Sequence, residues 1–281
     1  MEREVSIIWE IALTAMKKDN LSIFGPLSFK EYLRSNQLPH RQTAQSISID
    51  SYEKLHQSLK KEHTMVLRLG GEKETRFILV RVNDSLHDFF LHDHEVFSEQ
   101  DAKGFKPVVP ESSLMGYKIM PILSETSLVN LALTSGILGQ ALNFDKVQVP
   151  GAPATGKSTF SFEFKPHSSI DQVFEHYKGQ VEIDALFVEK RNGEDTLFVI
   201  EAKNDIKQRS LAKHKLAYPV LAVTRNLPKN VHVVPVYLRT YKDENYFYFN
   251  VLECEIPDPR ANIVAIDEIK PKKHSYFKLK L

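Results

Sequence analysis

A chain of 281 residues can hold one large domain or two modest ones, and 42% hydrophobic with 26% charged residues excludes a largely disordered chain. A formal net charge of +1 is far from that of a protein that coats DNA by charge alone. No apolar run reaches the roughly 18–20 residues that cross a bilayer. The N-terminal apolar stretch contains Glu10 and lacks a small-residue cleavage site, and the single cysteine, Cys254, can form neither an intrachain disulfide nor a cysteine zinc site, so the expected setting is a reducing cytoplasm.

In chain order, Val5, Ile8, Trp9, Ala12, Ala15 and Met16 recur at helical spacing and predict a helix over 5–16. SFKEYLRS (28–35) and SYEKLHQSLKK (51–61) predict two more, with Ser28 and Asp50 or Ser51 as N-caps. TMVLRLGGEKETRFILVRV (64–82) predicts a hairpin turning at Gly70-Gly71. Three helices and a hairpin is the order of a winged helix and also of other small α+β domains. Proline-bearing, irregular sequence over 95–121 suggests a boundary, so residues 1–100 and 101–281 are expected to form two domains. A helix is expected over 124–142, then strands at 158–164, 181–190 and 196–203, the last two joined by an Asn192-Gly193 turn. A polar helix at about 206–217 and a strand over PVLAVTR (219–225) follow, that strand lying parallel to a neighbour because a helix precedes it. Two β-rich runs, 231–241 and 246–254, close the pattern.

The hairpin carries the chemistry. Asp184 sits near the start of one strand, and Glu201 and Lys203 sit at the end of its partner. A tight hairpin sets such positions side by side, and alternation puts Glu201 and Lys203 on one face with Ala202 turned away. By the same rule Gln180, Glu182 and Asp184 share a face. Clustered carboxylates with a main-chain carbonyl make a hard oxygen site suited to Mg²⁺ or Mn²⁺. An ion there lowers the pKa of water and stabilises charge on a phosphate oxygen, and Lys203 can position the water or neutralise that charge. A solvated hairpin edge with an ion pair is the plainer alternative.

VEID (181–184), FVIEAK (198–203) and the element order around them resemble the PD-(D/E)xK nuclease superfamily, over about 124–225. The resemblance implies a mixed α/β (α+β) fold with a restriction-endonuclease-like core of helix, three strands, helix and strand, preceded by an N-terminal α+β domain for DNA recognition or dimerisation. It implies that Asp184 and Glu201, with the carbonyl of Ala202, hold Mg²⁺ or Mn²⁺, that Lys203 supports the water, and that Glu125 supplies a further acid, with Glu182 as its rival. No proline precedes Asp184, a departure from the motif. In such nucleases the segment after E-x-K commonly faces DNA. Here it bears Lys207, Gln208, Arg209, Lys213 and Lys215, within a run from Lys203 to Lys229 of seven Lys or Arg against one acid. The expected activity is hydrolysis of duplex DNA by a homodimeric restriction-type enzyme. A repair or junction-processing nuclease, or a DNA-binding protein without turnover, is the alternative.

Other motifs carry less. GAPATGKS (151–158) matches the P-loop pattern, which needs a preceding strand such as KVQVP (146–150) and a following helix, but TFSFEFKP alternates like a strand. Lys157 and Ser158 are therefore expected to contact a DNA phosphate. His87, His92 and His94 lie among acids without recurring ligand spacing and are expected to be an exposed polar segment. Cys254 reads as packed. Of Tyr246, Phe247, Tyr248 and Phe249, alternation buries two, although such rings can also stack on bases. The lysines between Lys270 and Lys280 read as a solvated basic run.

Overall fold

The computed structural model describes residues 2–39, 41, 43–83, 86–98, 100–146, 151–243 and 245–281, with side chains described from residue 8 onward except at residue 44. The side chain of Val5 and residues 147–150 of the KVQVP stretch lie outside the described residues. The fold is mixed α and β.

Helix α1 (Glu2–Lys18) buries Ile8, Trp9, Ala12 and Met16, the face expected from its spacing. Strand β1 (Ile23–Ser28) leads into α2 (Phe29–Ser35), where the Ser28 hydroxyl accepts a hydrogen bond from the Glu31 N–H at 3.2 Å and so caps the helix. The third expected helix, 51–61, is broken. Helix α3 (Thr43–Ile47) precedes it, a 3₁₀ turn covers Tyr52–Lys54, and only α4 (Gln57–Lys61) continues. Strands β2 (Thr64–Leu69) and β3 (Arg76–Arg81) form the hairpin, and β1 joins it in the order β1-β3-β2. Gly70 holds the hairpin close to the core: a Cβ there would lie 2.0 Å from the Tyr177 carbonyl oxygen.

Four short elements follow: β4 (Phe90–His92), α5 (Asp93–Val96), β5 (Lys103–Phe105) and α6 (Met115–Ile119). The expected 124–142 helix is two helices, α7 (Glu125–Thr134) and α8 (Ile137–Leu142). They divide at Gly136, whose φ of 93° is left-handed and where a Cβ would lie 2.7 Å from Val108 Cγ1. The sheet then forms from β6 (Ala154–Phe164), β7 (Phe174–Arg191) and β8 (Glu194–Lys203), each antiparallel to the last, with the Asn192-Gly193 turn where the sequence puts it.

After β8 the structure departs from expectation. Residues 206–209 are not helical, and β9 (Ser210–Ala212) pairs with β4. The crossover helix is α9 (His214–Thr224), so PVLAVTR is helix and not strand. Its side chains are buried almost all round, which removes the periodicity that separates a short buried helix from a buried strand. The parallel partner of β8 is β10 (His232–Asp243), followed by antiparallel β11 (Tyr246–Glu255) and β12 (Lys270–Lys280). The C-terminal lysines are therefore strand residues, of which Lys278 and Lys280 alternate with buried Phe277 and Leu279.

The seven-stranded sheet runs β5-β12-β11-β10-β8-β7-β6. Phe198, Ile200 and Ala202 of β8 pack in one core with residues of α7 and α8, while Leu197 and Val199 meet Val220 of α9 on the opposite face. A larger cluster joins Trp9, Phe29 and Phe77 of the N-terminal elements to Phe162 and Leu252 of the sheet and Tyr218 of α9. One continuous core thus spans both sides of the boundary expected near residue 100. Among the described residues no helix is long and apolar enough to cross a membrane.

Candidate active site

Three elements bring the acids together. Ala185 lies opposite Ile200 across the β7–β8 ladder, which sets Asp184 beside the end of β8, where Glu201 and Lys203 stand on the face away from buried Ala202. The β6–β7 register slips by one residue between the Ala154–Leu186 and Gly156–Ile183 pairs. This bulge, beside Asp184, breaks the simple alternation expected for Gln180, Glu182 and Asp184. Glu182 lies across from Lys157 and is exposed. Glu125 comes from the first turn of α7, a helix started by the Ser124 hydroxyl accepting from the Ser127 N–H at 3.2 Å.

The Lys203 ammonium is the hub. Its Nζ lies 2.9 Å from Glu201 Oε1 and 3.6 Å from Glu125 Oε1, and it donates to the Ala202 carbonyl at 3.0 Å. Asp184 Oδ2 accepts from the Ala202 N–H at 2.8 Å. Lys215 of α9 stands behind, 3.8 Å from Glu201 Oε1 and 3.5 Å from Asp50 Oδ1. Glu201 is 3% and Lys203 8% exposed, so these charges interact with little screening by water.

The electrostatics follow from that crowding. Burial first, and then the charge of Glu201, push the Asp184 carboxyl up to about 7, against the Ala202 N–H and Lys203. Burial also raises Glu125, opposed by Lys203 and reinforced by Glu201. For Lys203, burial acts to lower the pKa, but Glu201 and Glu125 together outweigh it, and the ammonium is held well above the ordinary lysine range. Glu201 likewise raises Lys215, with burial opposing and Asp50 adding. The site is short of positive charge even with two lysines in it.

The donor set of Asp184, Glu201, Glu125 and the Ala202 carbonyl is the hard oxygen chemistry of Mg²⁺ or Mn²⁺. Among the described residues no three His, Cys, Asp or Glu side chains form a ready-made ion cage. The Lys203 ammonium bonds to the carbonyl and one carboxylate that such an ion would use, so it stands in for a cation there.

The remaining expected contacts divide. Lys207 and Arg209 are exposed on the loop after β8. Gln208 is buried and donates to Asp205 Oδ2 at 3.3 Å. Lys213 is also buried: its amine donates to the Asp267 carbonyl at 3.1 Å, and burial lowers its pKa to about 8. Neither Gln208 nor Lys213 presents its side chain to a phosphate, because each is spent inside the fold. Lys157 and Ser158 are exposed on β6, and the strand beginning at Ala154 leaves no helix for a P-loop. Lys157 lines a cavity of about 500 Å³ with Asp50, Lys54, Arg68, Glu182 and Lys215. In the histidine segment His92 is buried, while His87 and His94 lie at the surface. Cys254 is buried. Asp50, which the sequence reading offered only as an N-cap, and Arg239, which it did not single out, touch this region. Nothing local ties Asp50 to the acids of the hairpin, and Arg239 is visible only once β10 is known to pair with β8, where it lies across from Lys203.

No curated protein and no solved structure matches this chain. A family model does match, over residues 91–275, and all four side chains of the site fall inside that span. The match covers more than half of the chain, which therefore belongs to the family described as a domain of unknown function (DUF6997).

Proposed function

We propose that this protein is a metal-dependent nuclease of the PD-(D/E)xK class that hydrolyses DNA phosphodiester bonds. The observation that carries the reading is the convergence on Lys203 of Glu201 and Glu125, with Asp184 beside them pushed up to about 7. Burying this much acid disfavours the fold unless something positive is bound, and strongly perturbed acids in one place mark functional sites. The order α7–α8, β6, β7, β8, α9, β10, with β10 parallel to β8, supports a restriction-endonuclease-like core.

In this reading Asp184, Glu201, the Ala202 carbonyl and Glu125 hold Mg²⁺, or Mn²⁺ in its place. The bound ion supplies a more acidic water and charge stabilisation at phosphate. Lys203, charged at neutral pH, would orient the attacking water and neutralise charge on a phosphate oxygen. Lys215, 3.8 Å from Glu201 Oε1, holds that side chain in place. Lys207, Arg209, Lys157 and Ser158 contact the DNA backbone. The N-terminal elements, with the strand order β1-β3-β2, serve as a winged-helix-like recognition unit.

The test is incubation of the purified protein with mixed plasmids and branched DNA in Mg²⁺ or Mn²⁺, beside an Asp184→Ala control. Sharp bands lost in the control support a restriction enzyme, which then also runs as a homodimer so that two sites meet two strands. A smear, or cutting of branched DNA alone, supports a repair or junction-processing nuclease. DNA left intact under every condition refutes turnover and leaves a DNA-binding protein.

A further inference from the structure

The face of the sheet that carries Glu201 and Lys203 does not end at β8. Arg239 lies across from Lys203, Asn250 across from Arg239, and Tyr276 across from Asn250, so a polar row crosses four strands. One step along, Tyr241 and Tyr248 stack with ring centroids 4.6 Å apart and planes 7° apart, and the Tyr241 and Tyr276 hydroxyls are hydrogen-bonded. Phe247 and Phe249 are buried on the other face, so alternation turns Tyr246 and Tyr248 toward this one.

A cavity of about 550 Å³ opens here, lined by Phe97, Ile206, Arg209, Arg239, Tyr241 and Asn250, together with Asp93 and His94. Its size is within the roughly 300–1,000 Å³ of small-ligand sites. The lining offers donors. Arg239 commits Nη2 to the carbonyls of Asp205 and Gln208 and directs Nε at Asp93, while its Nη1 is buried with no acceptor. His274 accepts the Ser98 N–H at its Nδ1, so its proton is on Nε2, which donates to Asn250 Oδ1 at 2.9 Å. That leaves the Asn250 amide nitrogen as a donor to the cavity it lines. A cavity lined by the rings of Phe97 and Tyr241 and by two donors suits a planar ligand with two acceptors along one edge, as guanine presents through O6 and N7.

We propose that this cavity takes an unpaired nucleobase, with guanine preferred, from the strand bound at the catalytic site. Neighbouring strands are about 4.8 Å apart, so a base held over Arg239 is within a nucleotide or two of a phosphate at Lys203. The proposal rests on the nuclease reading and sharpens it: the substrate has unpaired bases beside the cut.

The test is fluorescence anisotropy in EDTA, where no cleavage confuses binding. The probes are a labelled blunt duplex and the same duplex with a single-stranded guanine-bearing overhang. The overhang is expected to bind about tenfold tighter, the worth of one stacked base. Tyr241→Ala should erase the difference, and Tyr241→Phe, which keeps the ring, should retain it. Irradiating the wild-type complex with 8-bromoguanine at the unpaired position should crosslink Phe97 or Tyr241, a readout that needs no variant to fold. Equal binding of the two probes, or crosslinks confined to other parts of the chain, overturns the proposal. Metal-dependent cleavage without the overhang preference rejects the cavity alone, and the preference without any cleavage rejects the nuclease reading alone.

Discussion

Replacing Asp184 with asparagine should stabilise this protein at alkaline pH. The side chain keeps its shape, and its amide oxygen can still accept from the Ala202 N–H, now 2.8 Å from Asp184 Oδ2. What is lost is a negative charge held against Glu201 in a mostly buried site. Folding moves this carboxyl from 3.8 to about 7, chiefly through burial. At about 1.4 kcal/mol per tenfold change in proton affinity, that is a destabilisation of about 4 kcal/mol, reduced to about 2–4 kcal/mol by the partial exposure of the group. The sign is fixed by linkage. Between pH 4 and 7, on the order of the two pKa values, the folded chain holds a proton that the unfolded chain has released, so stability falls as pH rises. Near pH 4 the penalty is about zero, and above pH 8 it is complete, to about a pH unit. At about 2 °C per kcal/mol for a chain of this length, Asp184→Asn should raise Tm by about 4–8 °C at pH 8 and leave it nearly unchanged at pH 4.5. Calorimetric melts of both proteins in EDTA at the two pH values measure this. An equal difference at both, or a less stable variant at pH 8, refutes the picture of crowded acids.

Lys203→Met removes the ammonium among Glu201 and Glu125 and should cost about 3 kcal/mol at pH 8, read as a lower urea midpoint and partly recovered at pH 5 as Glu125, raised by burial, takes up a proton. Lys207→Glu and Arg209→Glu should weaken DNA binding and reduce its salt slope by about 1 per lost phosphate contact. Lys213→Glu should instead lower Tm, because its amine is buried on the Asp267 carbonyl, and a well-folded Lys213→Glu protein with a flattened slope would contradict that placement. Gly136→Ala should destabilise by about 1–3 kcal/mol, measured by chemical denaturation, because it must hold a left-handed φ and displace Val108.

The β-hairpin was legible because its signals are local. Alternation within VEIDALFVEK and TLFVIEAK and the Asn-Gly turn fix which residues face each other, and so place Asp184 near Glu201 and Lys203. Ser28 was readable for the same reason, as a capping residue before an apolar pattern. Segment 206–225 was misread because both of its signals mislead. KQRSLAKHK looks like an exposed helix, yet Asp205 turns the chain by accepting from the Lys207 N–H, and Arg239 pins the loop through the Asp205 and Gln208 carbonyls. PVLAVT looks like a strand because it is apolar and β-branched, yet it is a helix buried on nearly every side. The burial of Lys213 follows from that shift and could not be seen without it. Arg239 and Asn250 reach the site region only through strand neighbours far apart in the chain, and no window of sequence shows such pairing.

The central claim is that Asp184, Glu201, Lys203 and Glu125 act as one catalytic centre. The most direct test is single-turnover cleavage of labelled DNA in Mg²⁺ by the wild type, Asp184→Ala and Lys203→Ala, with DNA binding measured in parallel in Ca²⁺ and folding checked by melting. The account predicts rapid cleavage by the wild type, none by either variant, and DNA affinity within a few-fold for all three. Cleavage at the wild-type rate by a folded Asp184→Ala or Lys203→Ala protein would contradict it.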